Sequence, residues 1–165
     1  MTHFEPHTVS VERATADDAE ILTRLQIVAF HDDTRLYGVE LGGPPGYDDV
    51  EITRRKIHET DVYKISYKGQ IVGGAAVDDY GAGHYHLDIL YVHPDHHGHG
   101  IGSLALTLIE TLYLAQKWDL HTPKYAVRNQ HFYEKFGYIN IGEVTEPDGF
   151  QLIHYEKQIV QGTPR

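Results

Sequence analysis

The sequence contains no cysteine and only one methionine and one tryptophan in 165 residues. The lack of cysteine excludes a disulfide framework, a thiolate nucleophile and a zinc site with cysteine ligands. No stretch approaches the roughly eighteen consecutive apolar residues of a transmembrane helix, and residues 1–10 lack a basic segment followed by an apolar one. We therefore expect a cytoplasmic protein that has no membrane partner.

Basic residues are the scarcer charge, with 14 lysines and arginines against 24 aspartates and glutamates, and the net charge is −10 with histidine neutral. A negative field repels nucleic-acid backbones, so we expect no nucleic-acid partner. The length, 41% hydrophobic residues and 23% charged residues are typical of one globular domain. Without a repeat or linker in the sequence, we expect a single domain over residues 1–165 with its core at about 8–160.

Hydrophobic periodicity predicts a mixed α/β domain. The predicted strands cover residues 9–13, 62–67, 70–80, 84–92, 118–121, 138–144 and 150–159. The first predicted helix begins at residues 15–18, and three more helices are predicted over 48–59, 101–115 and 126–136. The pair Lys68-Gly69 predicts a tight hairpin turn. From Asp32 to Asp49 the chain holds a Gly-Gly-Pro-Pro-Gly run, which predicts a long loop after the first helix.

A glycine-rich turn, His97-Gly98-His99-Gly100-Ile101-Gly102, lies between a predicted strand and the most apolar predicted helix. Glycines let backbone amides turn toward one point, and a helix start adds unpaired N–H groups and the positive end of its dipole. The turn therefore predicts an anion-binding site, with a tight strand ending as the alternative. It is not a Walker loop, since no Gly-Lys-Ser/Thr follows, and Ser103 stands where a dinucleotide fingerprint needs its third glycine.

The segment from His86 to Leu106, in which Leu90-Tyr91-Val92-His93-Pro94 leads into the glycine turn, resembles the acetyl-CoA signature of the GCN5-related N-acetyltransferase (GNAT) superfamily. The segment Asn129-Gln130-His131-Phe132-Tyr133-Glu134-Lys135-Phe136-Gly137-Tyr138 is similar to the Phe-Tyr-x-Lys-x-Gly-Phe/Tyr helix end of the same family. This resemblance implies a single mixed, mostly antiparallel sheet flanked by helices. It also implies acetyl-CoA as a co-substrate.

The resemblance assigns cofactor-binding roles to the first motif and to one residue of the second. Main-chain groups of Leu90 and Val92 would pair with the pantetheine arm, and Asn129 would contact the cofactor. Amides of the glycine turn would hold the pyrophosphate; they belong to His97, Gly98, His99, Gly100, Ile101 and Gly102. His97 stands where the family usually has arginine or glutamine.

The resemblance also implies catalytic residues. Tyr133 matches the tyrosine that commonly protonates the departing CoA thiolate, with core aromatic packing as the alternative. His86 lies six residues before Val92, where several family members place a catalytic glutamate. An imidazole can accept a proton near neutral pH, so His86 is the candidate base. The alternative is a structural histidine whose ring only forms a hydrogen bond with a neighbouring residue. Asp88 shares its strand face and is the reserve base, or else a salt-bridged carboxylate.

The sequence thus predicts an N-acetyltransferase that transfers an acetyl group to a primary amine of a small molecule, amino acid or peptide by direct attack. A non-catalytic acyl-CoA-binding or sensing module is the main alternative. A histidine-rich metal-binding protein is a third, but the histidine spacing matches no closed zinc pattern and we expect no metal. In this family the acceptor pocket would involve Leu36 to Tyr47 and Glu143 to Gln151, and a homodimer through the tail strands is left open.

Overall fold

The computed structural model describes residues 8–160. The strands are β1 (Val9–Arg13), β2 (Asp61–Tyr67), β3 (Gln70–Asp79), β4 (His84–Val92), β5 (Lys117–Pro123), β6 (Ile139–Thr145) and β7 (Gln151–Gln158). The helices are α1 (Ala19–Leu36), α2 (Val50–Glu59), α3 (Ile101–Thr111) and α4 (Val127–Lys135), with short 3-10 turns at Ala16–Asp18 and Pro94–His96. The predicted order of strands and helices is therefore confirmed.

Within the described residues the strands form a seven-stranded sheet of order β1-β2-β3-β4-β5-β7-β6. The pairs β1–β2, β2–β3, β5–β7 and β6–β7 are antiparallel, and β4–β5 is parallel. The turn between β2 and β3 has positive φ at both Lys68 (51°) and Gly69 (80°), as a two-residue hairpin loop requires. The predicted mixed, mostly antiparallel sheet flanked by helices is confirmed.

The chain divides into two compact units. The first comprises the described chain up to Val77 together with Ile89–Leu112. The second comprises Asp78–Asp88 together with the described chain from Tyr113 onward. The sequence-based expectation of a single domain over residues 1–165 stays a prediction, and its first seven and last five residues lie outside the described part of the chain.

The first unit has two groups of buried apolar side chains. The apolar stripe of α1 packs on the sheet in a cluster of Leu22, Leu25, Ala29, Val62, Ala76 and Tyr91. The start of α3 packs in another, which contains Val9, Ile65, Val72, Val92, Ile101 and Ala105. Because β4 and α3 share this second cluster, the turn that joins them is held at both ends by buried side chains.

Two helix ends differ from the sequence-based expectation. Helix α1 continues past Asp32 to Leu36, because these residues include no glycine or proline, and it ends just before Gly38, whose φ is +67°. Helix α3 ends at Thr111, although the apolar stripe extends to Ala115. The apolar pattern predicted too long a helix because Leu112 and Leu114 are apolar but lie in a solvent-exposed turn, where they are 54% and 93% exposed.

The second unit is built on β5, whose Trp118 is fully buried. The Trp118 ring lies 5.6 Å from that of Tyr85 and 5.5 Å from that of Tyr113, measured between centroids. Strand β6 forms the edge of the sheet and is exposed along most of its length. Among the described residues, no helix is both long and apolar enough to cross a membrane.

Leu106→Ala is expected to lower the free energy of unfolding by about 2–5 kcal/mol, because Leu106 is fully buried in α3 and its truncation leaves a cavity. Leu112→Ala makes the same change at the exposed end of the helix and should shift stability by no more than about 0.5 kcal/mol. Urea denaturation of both variants checks this. Equal losses would contradict the packing described for α3.

Candidate active site

The glycine turn leads from the end of β4 into the first turn of α3. Gly98 and Gly100 have φ values of +77° and +78°, a left-handed conformation that glycine adopts without strain. Gly100 is the N-cap of α3, and no side chain caps the first turn. A Cβ atom added at Gly98 would meet nothing within 4 Å, so the turn is open at this residue. Uncapped amides beside open space fit a bound anionic group such as a pyrophosphate.

The His97 ring is turned toward the strand that precedes it. Its Nε2 lies 2.7 Å from the carbonyl oxygen of Val92, so Nε2–H donates to the backbone. The main chain of His97 also donates to the carbonyl of Pro94, at 3.1 Å. His97 therefore braces the turn against the end of β4, which is a structural role that the resemblance did not imply.

Leu90 and Val92 point their side chains into the cluster that holds Ile101. Only their main-chain groups are left for the predicted contact with pantetheine, and the Val92 carbonyl already accepts from His97. His99 is exposed in the turn, and Gly102 lies half-buried in the first turn of α3. The cofactor-binding roles of these residues stay predictions.

The second motif forms α4 in the second unit. Helix α4 ends just before Gly137, whose φ of +90° explains the glycine of the motif. Tyr133 is buried, and its ring centroid lies 5.1 Å from that of Phe132 and 5.8 Å from that of Tyr138. The ring is therefore held on several sides, whichever role its hydroxyl has. Asn129 lies with its Nδ2 3.5 Å from Oγ1 of Thr122, the limit of a hydrogen bond.

Three imidazoles converge on one buried carboxylate in the second unit, and we refer to Asp119, His84, His86 and His154 as the Asp119 cluster. Strand register explains it, because β4 places His86 opposite Asp119 in the parallel pair with β5. Strand β7 approaches from the other side and places His154 opposite His121, two residues beyond Asp119. The three residues thus reach one carboxylate from both neighbouring strands.

The contacts within the Asp119 cluster are short. Oδ1 of Asp119 lies 2.7 Å from Nε2 of His84, and Oδ2 lies 2.9 Å from Nε2 of His154. Nδ1 of His86 lies 3.1 Å from Oδ2, but at an angle that falls short of a hydrogen bond. Burial raises the pKa of Asp119, but these imidazoles outweigh it and hold the pKa far below its usual value. Asp119 is therefore ionised throughout the neutral range.

His86 is buried, and the Tyr80 ring stacks on it at 5.3 Å between centroids and 17° between planes. Burial lowers the pKa of His86, but the Asp119 carboxylate acts in the opposite direction. The charges of Asp88 and Asp78 add to the effect of Asp119, so the pKa of His86 lies above its usual value near 6.5. Asp88 itself is half-buried on the same face of β4.

His121 lies on the other side of the cluster and titrates differently. Its ring centroid is 4.3 Å from that of His154 and 5.5 Å from that of His86. Burial lowers the pKa of His121, and repulsion from His154 and His86 lowers it further. His121 is therefore neutral at neutral pH, whereas His86, closer to the carboxylate, binds a proton more readily.

Two groups in this region bring potential metal-ligand atoms within 4.8 Å of one another: His86, Asp119 and His121, and Asp78, His86 and Asp88. Hydrogen bonds between imidazoles and a carboxylate produce the same proximity without an ion. Since His84 and His154 already occupy both Asp119 oxygens, we interpret the cluster as a hydrogen-bond network. The expected absence of a metal stays a prediction.

Sequence reasoning singled out His86 but missed Asp119 and the part played by His84 and His154. One signal was present: Asp119 stands between Trp118 and Leu120 in a strand whose neighbours are apolar, where aspartate is disfavoured. A carboxylate in such a place must find partners, because an isolated buried charge is costly.

The seven-stranded mixed sheet, whose fourth strand leads through a glycine turn into an uncapped helix, is the fold that the resemblance to the acetyltransferase family implied. The model of the acetyltransferase (GNAT) domain matches residues 47–159. The chain belongs to this family. The family relationship confirms the resemblance recognised in the sequence and supports acetyl transfer as the type of reaction.

Solved structures agree in fold. The GCN5-related N-acetyltransferase from Rhodopseudomonas palustris matches 96% of this chain and 99% of its own, with a TM-score of 0.75 and 18% identity. The PaiA N-acetyltransferase from Thermoplasma acidophilum, solved in complex with coenzyme A, matches 92% of this chain and 99% of its own, with a TM-score of 0.70 and 16% identity.

Among curated proteins, uncharacterized protein YrkN of Bacillus subtilis is 40% identical over 74 residues. The match covers 44% of this chain and 40% of that relative. Because this relative is itself uncharacterized, the match does not identify a substrate.

Proposed function

We propose that this protein is an acetyl-CoA-dependent N-acetyltransferase that acetylates a primary amine of a small molecule, an amino acid or a peptide. The observation that carries the proposal is the uncapped N-terminus of α3 behind two left-handed glycines, in a chain of the GNAT family. Such a terminus suits the pyrophosphate of coenzyme A. Main-chain groups of Leu90 and Val92 would align the pantetheine arm, and Asn129 would contact it.

The chemistry that follows is a direct transfer. The amine nitrogen forms a bond to the thioester carbonyl carbon, and the bond from that carbon to the CoA sulfur breaks. His86 takes the proton that the amine must lose, and Tyr133 gives a proton to the departing thiolate. A buried imidazole beside a carboxylate supports the first role, and Asp88 is the reserve.

The experiment that tests this proposal is an acceptor screen. The protein is incubated with acetyl-CoA and polyamines, aminoglycosides, amino acids or peptides with free N-termini, and released CoA thiol is measured. We expect thiol release that depends on one acceptor class, with the acetylated amine identified by mass spectrometry. Tight CoA binding without release for any amine would favour a non-catalytic acyl-CoA-binding module. No CoA binding at all would overturn both.

Gly100→Val is expected to weaken CoA binding at least tenfold, or about 1.4 kcal/mol. The reason is that φ of +78° is strained for valine, and its side chain would stand where the amides face the phosphate. Isothermal titration with CoA measures the change.

The matched control is Gly69→Val, which introduces the same strain at a φ of +80° in the hairpin between β2 and β3. It should leave CoA affinity within twofold of the parent. Unchanged affinity in a folded Gly100→Val protein would contradict the assignment of the glycine turn.

A further inference from the structure

Nδ1 of His86 is the ring nitrogen that lies beside the carboxylate in the Asp119 cluster. Nδ1 of His86 is the one buried side-chain nitrogen or oxygen in residues 8–160 without a hydrogen-bond partner. The His86 side chain is only 9% exposed, so water cannot readily supply a partner. Oδ2 of Asp119 lies 3.1 Å from this nitrogen. A small rotation of the ring would complete a hydrogen bond between them.

The other two imidazoles show how the carboxylate is held. An ionised carboxylate only accepts hydrogen bonds, so the Nε2 atoms of His84 and His154 must carry the hydrogens that they direct at it. Both of those side chains are 29% exposed, and water can compete for them. They fix the carboxylate from two sides. Asp119 can therefore serve as a rigid acceptor for the third ring, that of His86.

We propose that Asp119 is the positioning residue for His86, holding a hydrogen on Nδ1 so that the lone pair of Nε2 faces the acceptor amine. This inference rests on the proposed N-acetyltransferase function. By the same logic that applies to His84 and His154, the nitrogen beside the carboxylate carries the hydrogen, and the opposite nitrogen is the base. In free enzymes catalytic hydrogen bonds are often poorly aligned and tighten when substrate binds, which accounts for the incomplete geometry at Nδ1.

Asp119 also affects how readily the base accepts a proton. A negative charge 3.1 Å from His86 favours the imidazolium that forms when the amine loses its proton. Titratable groups surround His86 on every neighbouring element: Asp78 on β3 and Tyr80 just after it, His84 and Asp88 on β4, Asp119 and His121 on β5, and His154 on β7. Of these carboxylates, Asp119 has the largest effect on the pKa of His86, so its removal should dominate.

The first test needs neither a variant nor a substrate. Nitrogen-15 NMR of the parent protein, recorded above the titration of His86, reports which ring nitrogen carries the hydrogen. We expect the Nδ1–H tautomer. An Nε2–H tautomer would overturn the inference, and it would do so even if the protein acetylates amines. An Nδ1–H tautomer in a protein that acetylates no amine would instead overturn the proposed function.

The second test compares Asp119→Asn with Glu156→Gln. The control makes the same change from carboxylate to amide at the residue opposite Asp119 in β7, which pairs with Lys117 at 3.6 Å. In Asp119→Asn we expect the pKa of His86, measured by NMR, to fall, because the carboxylate that raises it is gone. We expect kcat to fall about 10- to 100-fold with the KM for acetyl-CoA within twofold, and the acidic limb of the kcat profile to move to lower pH.

Glu156→Gln should leave kcat and the KM for acetyl-CoA within twofold of the parent, and it should not move the pKa of His86 or the acidic limb. If Asp119→Asn lowers kcat but leaves the pH limb and the titration of His86 where they are, Asp119 has a structural role only and the inference is wrong. Unchanged kcat in the folded variant would also overturn it. The same acceptor amine must be used throughout, because its own ionisation contributes to the limb equally in every variant.

Discussion

Tyr133→Phe is expected to lower kcat by about 10²- to 10⁴-fold, the range typical of losing a general acid or base. The ring of Tyr133 is held between Phe132 and Tyr138, and phenylalanine keeps that packing. What disappears is the hydroxyl that would protonate the CoA thiolate as it leaves. Affinity for CoA should change little, so the loss should be in kcat and not in the binding of the cofactor.

The control for this prediction is Tyr155→Phe. Tyr155 is also buried, and its hydroxyl donates to Oε2 of Glu134 on α4 at 2.7 Å, so the variant removes a hydroxyl that anchors the same helix. Its activity should stay within a fewfold of the parent. Steady-state assays with one acceptor compare the two variants. Equal activity of Tyr133→Phe and the parent would reduce Tyr133 to a packing residue.

His86→Gln should lower kcat by about 10²- to 10⁴-fold and remove the contribution of His86 to the acidic limb of the kcat profile. The base works only when neutral, and the pKa of His86 lies above 6.5, so in the parent the rate should fall as the pH drops through that raised pKa. Glutamine keeps a polar side chain of similar length but accepts no proton at these pH values. The limb that is left would belong to the acceptor amine alone.

His131→Gln makes the same substitution at an exposed histidine of α4 and should leave both rate and limb unchanged. Profiles of kcat against pH at saturating acetyl-CoA check the pair. If His86→Gln keeps the parental rate and limb, Asp88 or ionisation of the amine explains the pH dependence instead.

Local signals in the sequence were enough for the fold and for the glycine turn. Glycine at positions 98 and 100 identifies left-handed backbone, and the apolar period of α3 identifies a helix, because both depend on neighbouring residues. The Asp119 cluster depends on strand register instead. His84 and His154 each lie 35 residues from Asp119 in the chain, so their contacts follow from the pairing of β5 with β4 and with β7.

The His97 ring could not be predicted either. His97 stands where the family usually has arginine or glutamine, and the conformation of the turn brings its Nε2 back to the Val92 carbonyl. Matching a residue to a motif identifies its position in the chain but does not show where its side chain points. Under the proposed function, backbone amides would therefore hold the phosphate, and the conformation of Gly98 and Gly100 would matter more than the charge of His97.

Trp118 gives the protein a built-in optical probe. It is the sole tryptophan of the sequence, it is fully buried, and it directly precedes Asp119. Indole emission moves to longer wavelength when water reaches the ring, so fluorescence excited selectively at tryptophan reports on the second unit. Circular dichroism of the backbone reports on both units. Coincident urea transitions by the two signals would indicate that the units unfold together, and separate transitions would give each unit a stability of its own.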